Sequence, residues 1–246
     1  MNPLTNPIQS TIPSPTTTPP QGSADKRPPS YVKFSFTLTY ILLLTTATIT
    51  FIEAIRTPNP VVRHVLNLET CISVVAGYFY SNFVSQITQS ESAKTPVDWT
   101  TLAQTRYLDW SITTPMMLLA LCLVLSNEIG QHVHLPTILL VVALNYAMLY
   151  IGYLGERGTL SRLAAMVGGF VPFGAMYYLI YRTFVRPKKS IANRVLFGIY
   201  LAVWSCYGIV YLLDESKKNI AMNVLDLAAK CMIGLGLWVY YTKIVV

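Results

Sequence analysis

Charged side chains are scarce in this sequence: Lys, Arg, Asp and Glu make up 12% of 246 residues, while 53% are hydrophobic. A water-soluble globular domain carries about twice that share of charge, so the chain is expected to sit in a membrane. Histidine is nearly absent, with three copies, of which His132 and His134 form a His-x-His. Two ligands on a short turn seldom suffice for a metal, so both are read as loop residues and no metal is expected. The four cysteines, Cys71, Cys122, Cys206 and Cys231, have no metal-ligand spacing. They are read as reduced packing residues inside apolar segments. Basic residues are not interleaved with aromatics as in a nucleic-acid surface, and the net charge of +7 suits anionic lipid neighbours.

What the chain has in quantity is long apolar runs. Seven can be counted, at about 33–55, 66–83, 105–126, 135–154, 163–184, 192–213 and 220–241. Each is close to the roughly 20 residues that cross a hydrocarbon core. The expected fold is therefore an all-α membrane protein, a bundle of seven transmembrane helices. No cleavable signal peptide stands apart from the first run. Residues 1–30 are rich in Pro, Ser and Thr, too poor in apolar content to fold, and are expected to be a disordered extracellular tail. The seven-helix domain would span 31–246. The longest other loop signal is "SQITQSESAKTPVDW" between the second and third runs.

Seven crossings put the termini on opposite sides, and the Lys/Arg count of the two sides ties. The dense cluster "YRTFVRPKKSIANR", next to membrane ends, favours a cytoplasmic C-terminus and an extracellular N-terminus.

One residue breaks the pattern of the last run. "LDLAAKCMIG" places Lys230 mid-span, where an ammonium costs roughly 2.5–3.5 kcal/mol on insertion scales and so needs a partner. Asp226 lies four residues earlier, one turn away. A structural ion pair locking helices together would explain the two equally well. The third run adds "RYLDWSITTP", with Arg106 and Asp109 on adjacent turns and Thr113 one turn further. Two carboxylates, a guanidinium and a lysine nearly balance, as a buried cation with a complex counterion requires. A lysine amine can also condense with an aldehyde, and the resulting imine stays protonated only beside anions. Tyr107, Trp110, Trp204, Tyr207 and Tyr211 read alone as ordinary core or lipid-facing rings, but together with the buried lysine they look more like the walls of a slot for a flat conjugated chromophore.

"RYLDWSITTP", "WSCYGIVY" and "LDLAAK", in that order on the third, sixth and seventh runs, resemble the microbial (type I) rhodopsins. The match covers Tyr31 to the C-terminus. The resemblance implies all-trans retinal bound to Lys230 as a protonated Schiff base. Asp109 would be primary counterion and proton acceptor, Asp226 second counterion, and Arg106 the organiser of the extracellular half. Thr113 would hydrogen-bond Asp109, and Tyr80 would stand near the counterions. Tyr107, Trp110, Thr114, Met148, Gly152, Trp204, Tyr207 and Tyr211 would contact the cofactor. Met117 occupies a position that is apolar in green-absorbing and glutamine in blue-absorbing proteorhodopsin-like proteins, so green absorption is expected.

Departures from the archaeal pump pattern bear on function. Its cytoplasmic proton donor lies eleven residues after the acceptor, where this chain has Ala120. Glu69 comes into the same region from the second helix and can hold the missing proton, with Glu53 feeding it; a hydrated acid at a helix N-terminus is the competing reading for Glu69. Gly208 replaces a common proline. Lys218 sits near a position where that pump uses a glutamate for proton release, and Asp214 or Glu215 would substitute. The first and second runs resemble rhodopsins of giant viruses, a group with both pumps and cation channels. Three functions follow as expectations, none of them an enzyme in the metabolic sense. They are an outward proton pump, favoured because the second helix shows Ala76 and Phe79 beyond Glu69 where the channels of that group carry further carboxylates; a light-gated cation channel with Glu53, Glu69, Asn223 and the Asp109 cluster as constrictions; and a sensory photoreceptor with a separate transducer. Partners would be the bilayer, protons or monovalent cations, and further copies of the chain, since relatives form oligomers.

Overall fold

The computed structural model describes residues 30–242. The proposed tail falls almost wholly outside them. Seven helices follow one another: α1 Ser30–Arg56, α2 Pro60–Ala93, α3 Trp99–Ile129, α4 Leu135–Glu156, α5 Arg162–Ile180, α6 Ile191–Val210 and α7, which begins as Glu215–Asp226. α5 runs on through a π-helical turn, Tyr181–Val185; α7 widens to a π-helical Leu227–Met232 and resumes as Ile233–Thr242. Sequential helices pack side by side, α1 on α2, α2 on α3, α3 on α4 and α4 on α5, and α7 closes the bundle against α1 and α6.

Among the described residues, six helices are long and apolar enough to cross a membrane. The other, α2, carries Arg63, His64 and Glu69 and a polar last third, yet it is held by its buried stripe of Val65, Ile72, Ala76, Tyr80 and Phe83. Large apolar side chains face outward, including Ile41, Val171, Leu163 and Tyr178, as a lipid-facing surface requires.

Capping sets the helix ends. Asn59 accepts from the Val61 and Val62 amides, and Asp98 from those of Thr100 and Thr101, each satisfying donors that the first turn leaves bare. The Thr101 hydroxyl and amide, bonded to the exposed Asp98 carboxyl, hold it below the usual carboxylate range. Gly130 ends α3 at φ 69°, a left-handed backbone that glycine adopts without strain. Pro115 interrupts α3 and has no amide to give to Ser111; the Tyr146 hydroxyl on α4 donates to that freed carbonyl at 3.0 Å.

One expectation fails here. The stretch read as a long loop after the second run is mostly helix, since α2 continues to Ala93 and only residues 94–98 connect it to α3. Polar composition suggested a loop, but Ile87 is buried, Thr88 and Ser90 bond back to carbonyls one turn earlier, and Glu91 pairs with Lys33 of α1 at 2.6 Å. The cysteine reading holds for two of four: Cys122 and Cys231 are buried, while Cys71 and Cys206 lie on the outward surface, where a thiol is as compatible with lipid as with a core. All four are free. His132 and His134 lie in the exposed connection before α4.

Candidate functional site

Lys230 is 1% exposed and projects from the π-helical turn of α7 into the bundle. Its Nζ donates to Asp109 Oδ2 at 2.8 Å and lies 3.5 Å from Asp226 Oδ2. The lone mid-span lysine is thus paired twice, once across to α3 and once within its own helix. Asp226 is the more firmly held anion. Tyr207 donates to its Oδ1 at 2.6 Å, Tyr80 donates to its Oδ2 at 2.7 Å, and Arg106 Nη1 stands 3.5 Å away. Asp109, by contrast, has a second oxygen, Oδ1, with no hydrogen-bond partner among the described residues, although the residue is fully buried.

Arg106 is buried on the N-terminal side of this pair. It donates to Asn219 at 3.1 Å, to Asn223 at 2.9 Å and to the Tyr80 hydroxyl at 3.2 Å, and its guanidinium sits 5.1 Å from the centre of the Phe83 ring and 5.4 Å from that of Phe36. Asn223 in turn donates to Ser35 of α1 at 3.0 Å. Two cations and two carboxylates therefore share one buried site in which the guanidinium contacts are polar or aromatic, the condition under which buried charge is tolerated.

Beside the charges lies a slot with mainly apolar walls. Tyr107, Trp110, Thr114 and Met117 of α3 face it, with Met148 and Gly152 of α4, Gly169, Phe170 and Phe173 of α5, Trp204 and Tyr207 of α6, and Tyr211 just past the end of α6; Lys230 and Asp226 line one part of it. Trp110 meets Tyr207 edge to face, with centroids 5.5 Å apart and planes at 89°. Gly152 is small for a reason: a Cβ there would come 2.5 Å from the Tyr107 hydroxyl, and the Tyr211 hydroxyl donates to its carbonyl at 2.9 Å. All ten residues expected to contact a cofactor line this one slot.

Thr113 departs from expectation. Its hydroxyl donates to the Asp109 backbone carbonyl at 2.9 Å, not to the carboxylate, because a threonine inside a helix readily bonds back to the carbonyl four residues earlier. Glu69 lies apart from the counterions. It is 2% exposed, which overturns the reading of it as a hydrated helix-terminal acid, and a Cβ on Gly234 of α7 would stand 2.9 Å from its Oε2. Glu53 pairs with Arg56 at 3.2 Å. At the other end, Lys218 is buried between Glu156, at 2.9 Å, and Glu215, at 3.0 Å, and Arg162 also pairs with Glu215. Glu215 is thus bound into an ion cluster, while Asp214 is exposed beside Lys217.

Three polar residues were missed from sequence. Asn219 shares a face with Asn223 and Asp226, a polar stripe on α7 that helical spacing would have revealed. Asn145 is fully buried and donates to Thr114 at 2.8 Å; a single polar residue in the run "VVALNYAML" was the available signal. Ser35 had none, since serines are common in membrane helices.

The profile of the bacteriorhodopsin-like proteins matches residues 30–244. Bacteriorhodopsin of Halobacterium salinarum is 30% identical over 159 residues, which are 58% of this chain and 55% of that protein. A green-light absorbing proteorhodopsin of the gamma-proteobacterium EBAC31A08 is 27% identical over 151 residues, 54% of this chain and 59% of that one. The chain therefore spans little more than half the length of these two relatives. The crystal structure of the viral rhodopsin OLPVRII superposes with a TM-score of 0.81 at 40% identity, covering 88% of this chain and all of that one. The light-driven proton pump LR (Mac) from Leptosphaeria maculans, at 19% identity and a TM-score of 0.70, covers 88% of this chain and 98% of that one and shares the fold. A seven-helix bundle matched along residues 30–244 and akin to a viral rhodopsin over that rhodopsin's whole length makes this chain a member of the bacteriorhodopsin-like family, a multi-pass microbial rhodopsin.

Proposed function

We propose that this protein is a light-driven outward proton pump that carries retinal on Lys230. The supporting observation is the placement of two carboxyl groups on opposite sides of that lysine. Asp109 is 2.8 Å from Nζ on the Arg106 side, and Glu69 is buried against Gly234, one turn beyond Lys230 on the other side. The slot suits the cofactor: aromatic and other apolar side chains wall it, the amine opens into it, and carboxylates stand beside that amine.

Retinal, when bound, supplies light absorption and an isomerisation that frees the nitrogen's proton. The chain's own groups decide where that proton goes. Asp109 takes it, since its bare Oδ1 is open to a proton and Oδ2 already faces Nζ. Asp226 stays an anion, because two tyrosine hydroxyls donate to it and Arg106 stands beside it. On α3 the donor position is Ala120, fully buried and unable to hold a proton. Glu69 acts as the donor instead. It is buried, with Oε1 unpartnered and no ion pair among the described residues, and so is tolerated in its neutral form. Glu69 lies toward the end that carries Arg182, Arg186, Lys188, Lys189 and Arg194, which we assign to the cytoplasm, with the N-terminus outside. The proton then moves outward.

A light-gated cation channel is the second reading. A polar chain from Ser35 through Asn223 and Arg106 to Asn219 ties α1, α3 and α7 together, and similar side chains line ion paths. Photocurrents at a series of holding potentials, with retinal supplied and bath ions varied, decide between them. Outward current at every voltage and indifferent to sodium and potassium is the pump's result; current that reverses with the cation gradient sinks it.

A further inference from the structure

Serine and threonine hydroxyls along α2 mostly turn back on their own helix. Thr70 donates to Leu66, Ser81 to Tyr78, Thr88 to Val84 and Ser90 to Gln86, each to a carbonyl three or four residues earlier. Ser73 does not. It is fully buried and its Oγ has no hydrogen-bond partner among the described residues. An unsatisfied buried hydroxyl costs about 1–3 kcal/mol, so a native structure keeps one only where something polar meets it.

Its position says what. α2 and α7 run antiparallel, and two contacts fix their register: Glu69 lies against Gly234, and Tyr80 against Asn223 and Asp226. Ser73, four residues after Glu69, falls level with Lys230, four residues before Gly234. Glu69, Ser73 and Tyr80 also share one face of α2, since steps of four and seven residues return to nearly the same side of a helix. The orphaned Ser73 Oγ thus stands at the level of the lysine, one turn from the orphaned Glu69 Oε1. Asp109 Oδ1, across the lysine, is a third buried oxygen without a partner. A water held between the Glu69 and Ser73 oxygens would make two to four hydrogen bonds and satisfy both.

We infer that Ser73 positions an internal water between the Glu69 carboxyl and the nitrogen of Lys230, and that the proton returning to that nitrogen travels through this water. The Glu69 O–H bond breaks, the water takes that proton and releases one of its own to the nitrogen, and Glu69 is left as a carboxylate for refilling from the cytoplasmic side. Ser73 gives up no proton; it is a positioning residue. The inference rests on the pump reading, in which Glu69 is the donor.

The test uses the full chain loaded with retinal, as wild type, S73A, S73T and E69Q, with flash photolysis and infrared difference spectroscopy on each. E69Q identifies the carboxylic C=O band of Glu69 and slows return of the proton to the nitrogen. S73A slows that return by about fivefold, the effect of losing one hydrogen bond in the relay, and shifts the same C=O band, while S73T restores both. In wild type, exchange into H2(18)O moves a water O–H band that E69Q removes. This last measurement needs no Ser73 variant and holds even where S73A does not fold. Unchanged proton return in E69Q overturns the donor reading and the relay with it. Slowed return in E69Q, together with an S73A protein unchanged in rate and band, overturns the role of Ser73 alone, as does an S73T protein as slow as S73A. A wild type without the isotope-sensitive water band does the same.

Discussion

Asp109 meets Lys230 through one oxygen, at 2.8 Å, and leaves its other oxygen bare, whereas Asp226, 3.5 Å from the same Nζ, is engaged at both. The two counterions are therefore not equivalent, and their variants should differ. On the pump reading, D109N removes the group that takes the proton and weakens stabilisation of the cationic nitrogen; we expect a red-shifted pigment without transport. D226N keeps Asp109 in place and leaves Tyr80 and Tyr207 facing an amide, so a smaller spectral shift and residual outward current are expected. Absorbance and photocurrent on the same two variants check this, and identical behaviour would refute the asymmetry.

K230A should give colourless protein, since no other lysine lines the slot. It also leaves two buried carboxylates facing Arg106 alone. Stranding one partner of a buried pair costs about 3–5 kcal/mol, so the variant should melt well below the wild-type apoprotein when heated in detergent. A visible band that persists in K230A would overturn the assignment of the cofactor to this residue.

Met117 is 3% exposed and lines the slot from α3. M117Q places an amide dipole beside the chromophore, and we expect green absorption in the wild type and a blue shift in the variant. An absorbance maximum that does not move would show that residue 117 does not tune the colour.

Lys218, Glu156, Glu215 and Arg162 tie α4, α5 and α7 together near Tyr211, whose ring centre is 5.9 Å from the Lys218 Nζ. K218M leaves Glu156 with only the long contact to Arg162, at 3.9 Å, so two carboxylates lose their shared cation. A loss of about 1–3 kcal/mol is expected, less than for K230A because Arg162 remains and Glu215 is partly exposed. Thermal bleaching of the pigment measures it; a K218M protein as stable as wild type would show that this cluster contributes nothing.

These residues also show what a sequence discloses. The charge cluster was legible because its members fall at helical spacings inside otherwise apolar runs, where any ion is conspicuous. So was the slot, since aromatic residues spaced by three and four on α6 must share a face. Thr113 misled because spacing says which side of a helix a hydroxyl is on, not which oxygen it chooses, and the backbone carbonyl was nearer. The end of α2 misled for a different reason. Polar residues there read as loop, but Ile87 and the Glu91–Lys33 pair anchor nearly three further turns, from the expected end at 83 to Ala93, through partners on α1 that no local pattern contains. Lys218 was visible as a charge, but its burial depends on Glu156, 62 residues away.

Glu69 depends likewise on a distant residue, Gly234, and the last prediction turns on it. A Cβ at Gly234 would lie 2.9 Å from Glu69 Oε2, inside any tolerable contact, while one at Gly236 would meet nothing within 4 Å. Both substitutions add one methyl group to the same stretch of α7 and remove the same backbone freedom, so helix propensity affects them alike. G234A alone must push the Glu69 carboxyl off its seat. We expect G234A to slow return of the proton to the Lys230 nitrogen and to shift the Glu69 carboxylic band, with G236A matching wild type in both. In a G234A, E69Q double variant the glycine change should then have no further effect on the rate, because the group it displaces is no longer an acid. A G234A protein that is slow in the double variant by the same factor as alone would mean that the methyl group acts on α7 itself and that Glu69 is a bystander.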